Sequence, residues 1–143
     1  MKITTSYAIE LRTRIKQRKP LFSVMHIYRE AVDYCLPKFN DNWNDIKDKK
    51  LVYQQGICDK LIHNTKDNVA KYDFDSKFPK LPSYLRRDVI NKTLGNVKSY
   101  HSNLERDENT RLASELHTFP TFFRGNMYKE DDKVYLKVFK DND

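Results

Sequence analysis

Leu81-Pro-Ser-Tyr-Leu-Arg-Arg-Asp-Val-Ile-Asn-Lys-Thr-Leu-Gly-Asn-Val-Lys-Ser-Tyr-His-Ser-Asn-Leu104 is the stretch on which the reading of the chain turns. Leu85, Val89, Ile90, Thr93, Leu94, Val97, Tyr100 and Leu104 recur at three- and four-residue steps. At about 100° per residue they fall on one side of a long helix. Arg87, Asn91, Lys98 and Ser102 gather on the other side. Pro82 and Ser83 mark the start, and the Ser83 hydroxyl is of the kind that accepts a hydrogen bond from a first-turn amide. Arg86 breaks the pattern, because it projects into the middle of the apolar arc. An unpaired guanidinium is costly to bury. Arg86 must therefore overhang the core, meet an acid, or meet an anionic ligand.

Working outward toward the amino terminus, residues 2–11 alternate. Ile3, Thr5, Tyr7, Ile9 and Leu11 face one way, which predicts a strand with one buried face. Residues 12–19 then carry five basic side chains, Arg12 and Arg14 among them, and no acid. They read either as a solvated connector or as a phosphate-contacting loop. Pro20 suits the start of a helix, and Pro37 suits its end. Between them Leu21, Val24, Met25, Tyr28, Ala31, Val32, Cys35 and Leu36 form a continuous apolar stripe. Trp43 and Ile46 anchor a short helical turn, with the lone Trp read as a core residue. Leu51, Gln55, Cys58, Leu61 and Ile62 predict another amphipathic helix, weakened by Gly56. Tyr72, Phe74 and Phe78 punctuate a connector that also carries Lys71, Lys77 and Lys80. Its aromatics either pack across the helices or stack on bases.

Beyond Leu104 helical periodicity fades. Phe119-Pro-Thr-Phe-Phe-Arg-Gly125 interrupts it, and residues 126–129 and 133–139 flank Glu130-Asp131-Asp132 as a β-hairpin with an acidic tip. Strands at both ends and helices between them predict an α+β fold. Its divisions are a first strand at 1–15, a helical insertion at 16–118 and a hairpin at 119–143. Sheet edges left open by so few strands invite self-association.

The 143 residues carry 27 Lys and Arg against 20 Asp and Glu, a net charge of +7. That balance favours a polyanionic partner, with nucleic acid first. Cys35 and Cys58 form no Cys-x-x-Cys pair, and the four His are scattered, so no zinc or other metal site is expected. Both cysteines read as buried free thiols. No run of about 20 apolar residues and no apolar leader occur, so a cytoplasmic protein without a membrane partner is expected. No Gly-rich phosphate loop, His-Glu-x-x-His or Gly-x-Ser-x-Gly motif is present. No cofactor and no catalytic residue can be named.

Three stretches carry a resemblance. They are Ile3-Thr-Thr-Ser-Tyr-Ala-Ile-Glu-Leu11; Tyr72-Asp-Phe74 with Phe78 and Leu81-Pro-Ser-Tyr-Leu-Arg-Arg-Asp-Val-Ile90; and Phe119-Pro-Thr-Phe-Phe-Arg-Gly-Asn-Met-Tyr-Lys129. In order and spacing this resembles the amino-terminal part of the OrfB/TnpB proteins of insertion sequences, which are RNA-guided nucleases. The resemblance implies a partial wedge-type β-barrel opened by a helical recognition insertion, gripping guide RNA and target DNA. It implies that catalysis belongs to a RuvC-like domain and zinc ribbon further on, so this chain, ending at Asp143, is expected to bind without cleaving. It implies nucleic-acid contacts at Arg12, Arg14, Arg86, Arg87, Asn91, Lys98, Tyr128 and Lys129. The other reading is a small helical protein-interaction or regulatory module derived from a transposase, without nucleic-acid binding.

Overall fold

Apolar side chains on helical steps build the two longest elements, α1 (Ile15–Asp41) and α5 (Ser83–Leu104). Between them lie α2 (Trp43–Ile46), α3 (Leu51–Ile62) and the single turn α4 (Phe74–Lys77). Two short strands follow, β1 (Tyr128–Glu130) and β2 (Val134–Leu136). This computed structural model describes residues 15–114, 118–121, 128–130 and 134–136.

α1 buries Val24, Tyr28, Ala31, Val32, Cys35, Leu36 and Phe39. α5 answers with Leu85, Val89, Ile90, Thr93, Leu94 and Val97. Tyr28 lies beside Asp88, and His101 hydrogen-bonds Asn40 at 2.7 Å. The two helices therefore run side by side in the same sense. α3 returns along α5 in the opposite sense, since Asp59 meets Arg86 and Gln55 meets Asn91. Ile46, Cys58, Ile62, Phe74, Phe78 and Leu81 complete the core. Tyr34 stands edge-on to Phe78 at 5.8 Å, and Phe78 lies 4.9 Å from Phe74. Burying a large apolar side chain stabilises by roughly 1.5–3 kcal/mol relative to exposure. This packing, more than intrinsic propensity, holds helices of such length. Trp43 packs on the core's edge and stacks on His101 at 5.2 Å.

Cys35 and Cys58 are free and buried. Burial raises both thiols, Cys58 to about 12, with Asp59 adding to the rise and Lys98 opposing it. Both therefore stay protonated at neutral pH.

The expected α+β fold with a wedge-type barrel is overturned. The described residues are mainly helical. Their strands form one antiparallel ladder of three pairs, Tyr128 with Leu136, Lys129 with Tyr135 and Glu130 with Val134. A barrel requires many strands closed on one another, and a two-stranded ladder of this length closes nothing. The expected first strand, residues 2–11, lies outside the described residues.

Local signals are corrected too. Pro20 and Pro37 both sit inside α1 instead of bounding it. Each ring removes one amide donor, and both are exposed, so water can satisfy the carbonyl four residues back. Leu36 and Phe39, buried on either side of Pro37, carry the helix onward. Residues 15–19 of the basic run are helical, not a loop. Ser83 does not cap α5. Pro82 is the cap residue, without a side-chain hydrogen bond, and its carbonyl accepts the Arg86 amide at 2.9 Å. Phe74 turns inward from the single helical turn of α4.

Candidate nucleic-acid interface

α5 has one side in the core and one in water. Arg87, Asn91, Gly95, Lys98, Ser99 and Ser102 are exposed along the second. Arg87 and Lys98 have no carboxylate partner among the described residues. A depression of about 410 Å³ opens over this side, lined by Asp88, Asn91, Lys92, Gly95, Asn96 and Ser99. Gly95 contributes no side chain there, and a Cβ added to it would meet nothing within 4 Å. The helix backbone is thus open to approach at that point. Asn91 accepts a hydrogen bond through Oδ1 from the Gln55 amide, and its own amide nitrogen carries two further donors. Asn96 donates to the Lys92 carbonyl at 2.8 Å.

Arg86 is the member of this set that the fold withdraws. Its Nε donates to Asp59 Oδ1 at 3.0 Å. The Arg86 side chain is 13% exposed and Asp59 37%. Of its three fates, it meets an acid. The 100° step from Arg87 places it toward α3, where Asp59 neutralises a charge the core would not otherwise hold.

Asp88 is also unusual. It points to the wetter side of α5, yet it is buried. The segment 118–121 crosses it, and the Thr121 amide donates to Asp88 Oδ2 at 3.0 Å. Arg29 on α1 holds the same segment. Its Nε donates to the Thr118 carbonyl at 2.8 Å, and its guanidinium lies 4.9 Å from the centre of the Phe119 ring. Tyr28 faces Asp88, and burial first, then that carboxylate, raises the phenol's pKa. This arrangement ties the return segment across the two long helices.

A second basic grouping lies at the end of α1. Lys38 Nζ stands 3.6 Å from the Tyr34 ring centre and 5.7 Å from that of Tyr72. Lys77 Nζ is 4.9 Å from the Tyr34 ring, and Lys71 Nζ is 5.4 Å from the Tyr72 ring. Asn42 ties the group together. Its amide donates to the Tyr72 hydroxyl at 2.8 Å, and its Oδ1 accepts from Lys71 at 3.1 Å.

The Aq_aa04 family model matches residues 4–140. The chain belongs to the Aq_aa04 family. A search of curated proteins and a search of solved structures found no match.

In this family member the structure brings Arg87, Asn91 and Lys98 onto one open face and removes Arg86 from it. Arg12 and Arg14 lie outside the described residues. Tyr128 and Lys129 sit on β1, where their backbones pair with Leu136 and Tyr135. Tyr34, Lys38 and Asn42 were absent from the sequence-derived set. Only a helical i, i+4 spacing of Tyr34 and Lys38 signalled them, since their partners lie more than 25 residues away. Among the described residues no group of three His, Cys, Asp or Glu is placed to hold a metal ion. No helix there is long and apolar enough to cross a membrane.

Proposed function

We propose that the chain is a nucleic-acid-binding protein that acts by binding alone, with the outward side of α5 against the sugar–phosphate backbone. One observation carries this. Arg87 and Lys98 are exposed on the same side as Asn91, without acid partners among the described residues, in a chain of net charge +7. Cations left unpaired beside an open helix backbone suit phosphates, and the Asn91 amide suits a base edge or sugar. The resemblance to OrfB/TnpB amino-terminal segments makes structured RNA and target-like duplex DNA the first partners to test. Arg86 is left out of this reading because Asp59 occupies it.

Filter binding to a short duplex and to a structured RNA at two salt concentrations tests the reading. Affinity should fall steeply with salt. Removing Arg87 and Lys98 should each flatten the log–log slope by about one unit. Weak retention independent of salt, or a double variant that binds like the parent, overturns it.

A second reading, a protein-contact module, has one observation in its favour. Leu51, Val52 and Tyr53 at the start of α3 are 52%, 74% and 65% exposed. Contiguous apolar exposure of this kind marks contact surfaces. Unchanged nucleic-acid binding alongside loss of a co-purifying partner in Val52→Ser would favour it.

A further inference from the structure

We infer that Lys38, Lys71 and Lys77, gathered around Tyr34 and Tyr72, form a binding site for a phosphate group, separate from the outward side of α5. Three ammonium groups converge here on two phenol rings. Lys38 and Lys77 share the Tyr34 ring, and Lys38 and Lys71 share the Tyr72 ring. None of the three has a carboxylate partner among the described residues. Their protein acceptors are neutral: the Tyr34 carbonyl for Lys38, at 3.1 Å, and Asn42 Oδ1 for Lys71. An ammonium carries three donors, so each keeps N–H groups for a ligand.

Electrostatics points to the ligand's charge. Like charges brought together repel, and a ring face at an exposed site offsets only a small part of that repulsion. Asp73, beside Tyr72 in sequence, is a carboxylate whose field reaches Tyr34, but it forms no ion pair with Lys38, Lys71 or Lys77 among the described residues. A phosphate, with several oxygens and more than one negative charge, satisfies two or three ammonium groups at once.

The scaffold is already in place. Tyr34 is set by Phe74 and Phe78, Tyr72 by its hydrogen bond from Asn42. The Tyr72 amide is further held by the Leu61 carbonyl at 3.0 Å. The lysines come from α1 on one side and the connector on the other. A ligand here would therefore staple residues 71–77 to the end of α1.

The phosphate has two sources, a free polyphosphate or a nucleic-acid 5′ end. The test titrates pyrophosphate, and separately a single-stranded oligonucleotide with and without a 5′-phosphate, into the full chain. Backbone amide resonances report by residue. Pyrophosphate should shift residues 34–42 and 71–77, and Lys71→Gln/Lys77→Gln should weaken that binding at least tenfold. Arg in both places should restore it. Shifts with pyrophosphate identify a free polyphosphate site; shifts only with the 5′-phosphorylated oligonucleotide identify a nucleic-acid end. Both outcomes uphold the site. No shift at these residues with any probe, or equal shifts in Lys71→Gln/Lys77→Gln, overturns it. The Arg87→Ala/Lys98→Ala variant should keep these shifts, so failure of the α5 reading and failure of this one are told apart.

Discussion

Arg86 and Arg87 are adjacent in sequence and opposite in circumstance. Arg86 turns toward α3 and meets Asp59; Arg87 turns to water. The same contrast runs the length of α5. Its inward side, Leu85 to Val97, packs into the core against α1, and its outward side supplies unpaired charge and an open backbone at Gly95. The difference teaches that a charge count does not describe a binding surface. A cation tied to an acid inside a fold belongs to stability. A cation left alone on the surface adds little to stability and is available to a partner.

The contrast can be broken most forcefully from inside. Leu85 is fully buried between the helices. Leu85→Ala should lower unfolding free energy by about 3 kcal/mol, through lost transfer energy and the cavity left behind. Urea unfolding measures it, and a loss below about 1 kcal/mol would mean that α5 does not organise the core.

Asp59→Ala comes next. It leaves Arg86 mostly out of water without its acid. Loss of a fully buried pair costs about 3–5 kcal/mol; with Asp59 partly exposed, about 2 kcal/mol is expected. Arg86→Met, which removes the charge and keeps the stem, should cost less. If Asp59→Ala is neutral while Arg86→Met lowers nucleic-acid affinity, Arg86 belongs to the binding surface after all.

The outward side should respond with the opposite sign or not at all. Gly95→Ala should stabilise by about 1 kcal/mol, since the added methyl meets nothing and helix propensity improves. It should also narrow the depression there, so a simultaneous loss of RNA or DNA affinity would sharpen the case that the backbone is approached at this point. Arg87→Ala should leave stability within about 0.5 kcal/mol while weakening binding. Thermal melts and filter binding on the same samples separate the two effects.

Much of the helical core was legible from local pattern. Apolar recurrence over Leu85 to Val97 and over Val24 to Leu36 marked the sides that α5 and α1 bury, because a 3.6-residue period is written in adjacent residues. Turn signals misled at Pro20, which is exposed inside α1, and at Pro37, where Leu36 and Phe39 buried on either side outweigh a missing amide hydrogen bond. The barrel expectation misled more seriously: the carboxy-terminal hairpin is present as β1 and β2, but two short paired strands do not make a closed sheet. The candidate surface was legible in part. Arg87, Asn91 and Lys98 follow from the helical period alone. Arg86's partner did not, because Asp59 lies 27 positions earlier. The lysine–tyrosine grouping did not either, because it joins α1 to residues 71–77 through contacts between side chains far apart in the chain.

Sequence alone, then, determined the period of α5, the side it turns inward and the surplus of positive charge, all of which depend on neighbours within two helical turns. Tertiary structure alone decided which cations are occupied and which are left over. Asp59 reaches Arg86, segment 118–121 covers Asp88, and Tyr34 and Tyr72 collect three lysines. Those pairings arise from which helices lie against each other, and no local periodicity encodes that choice.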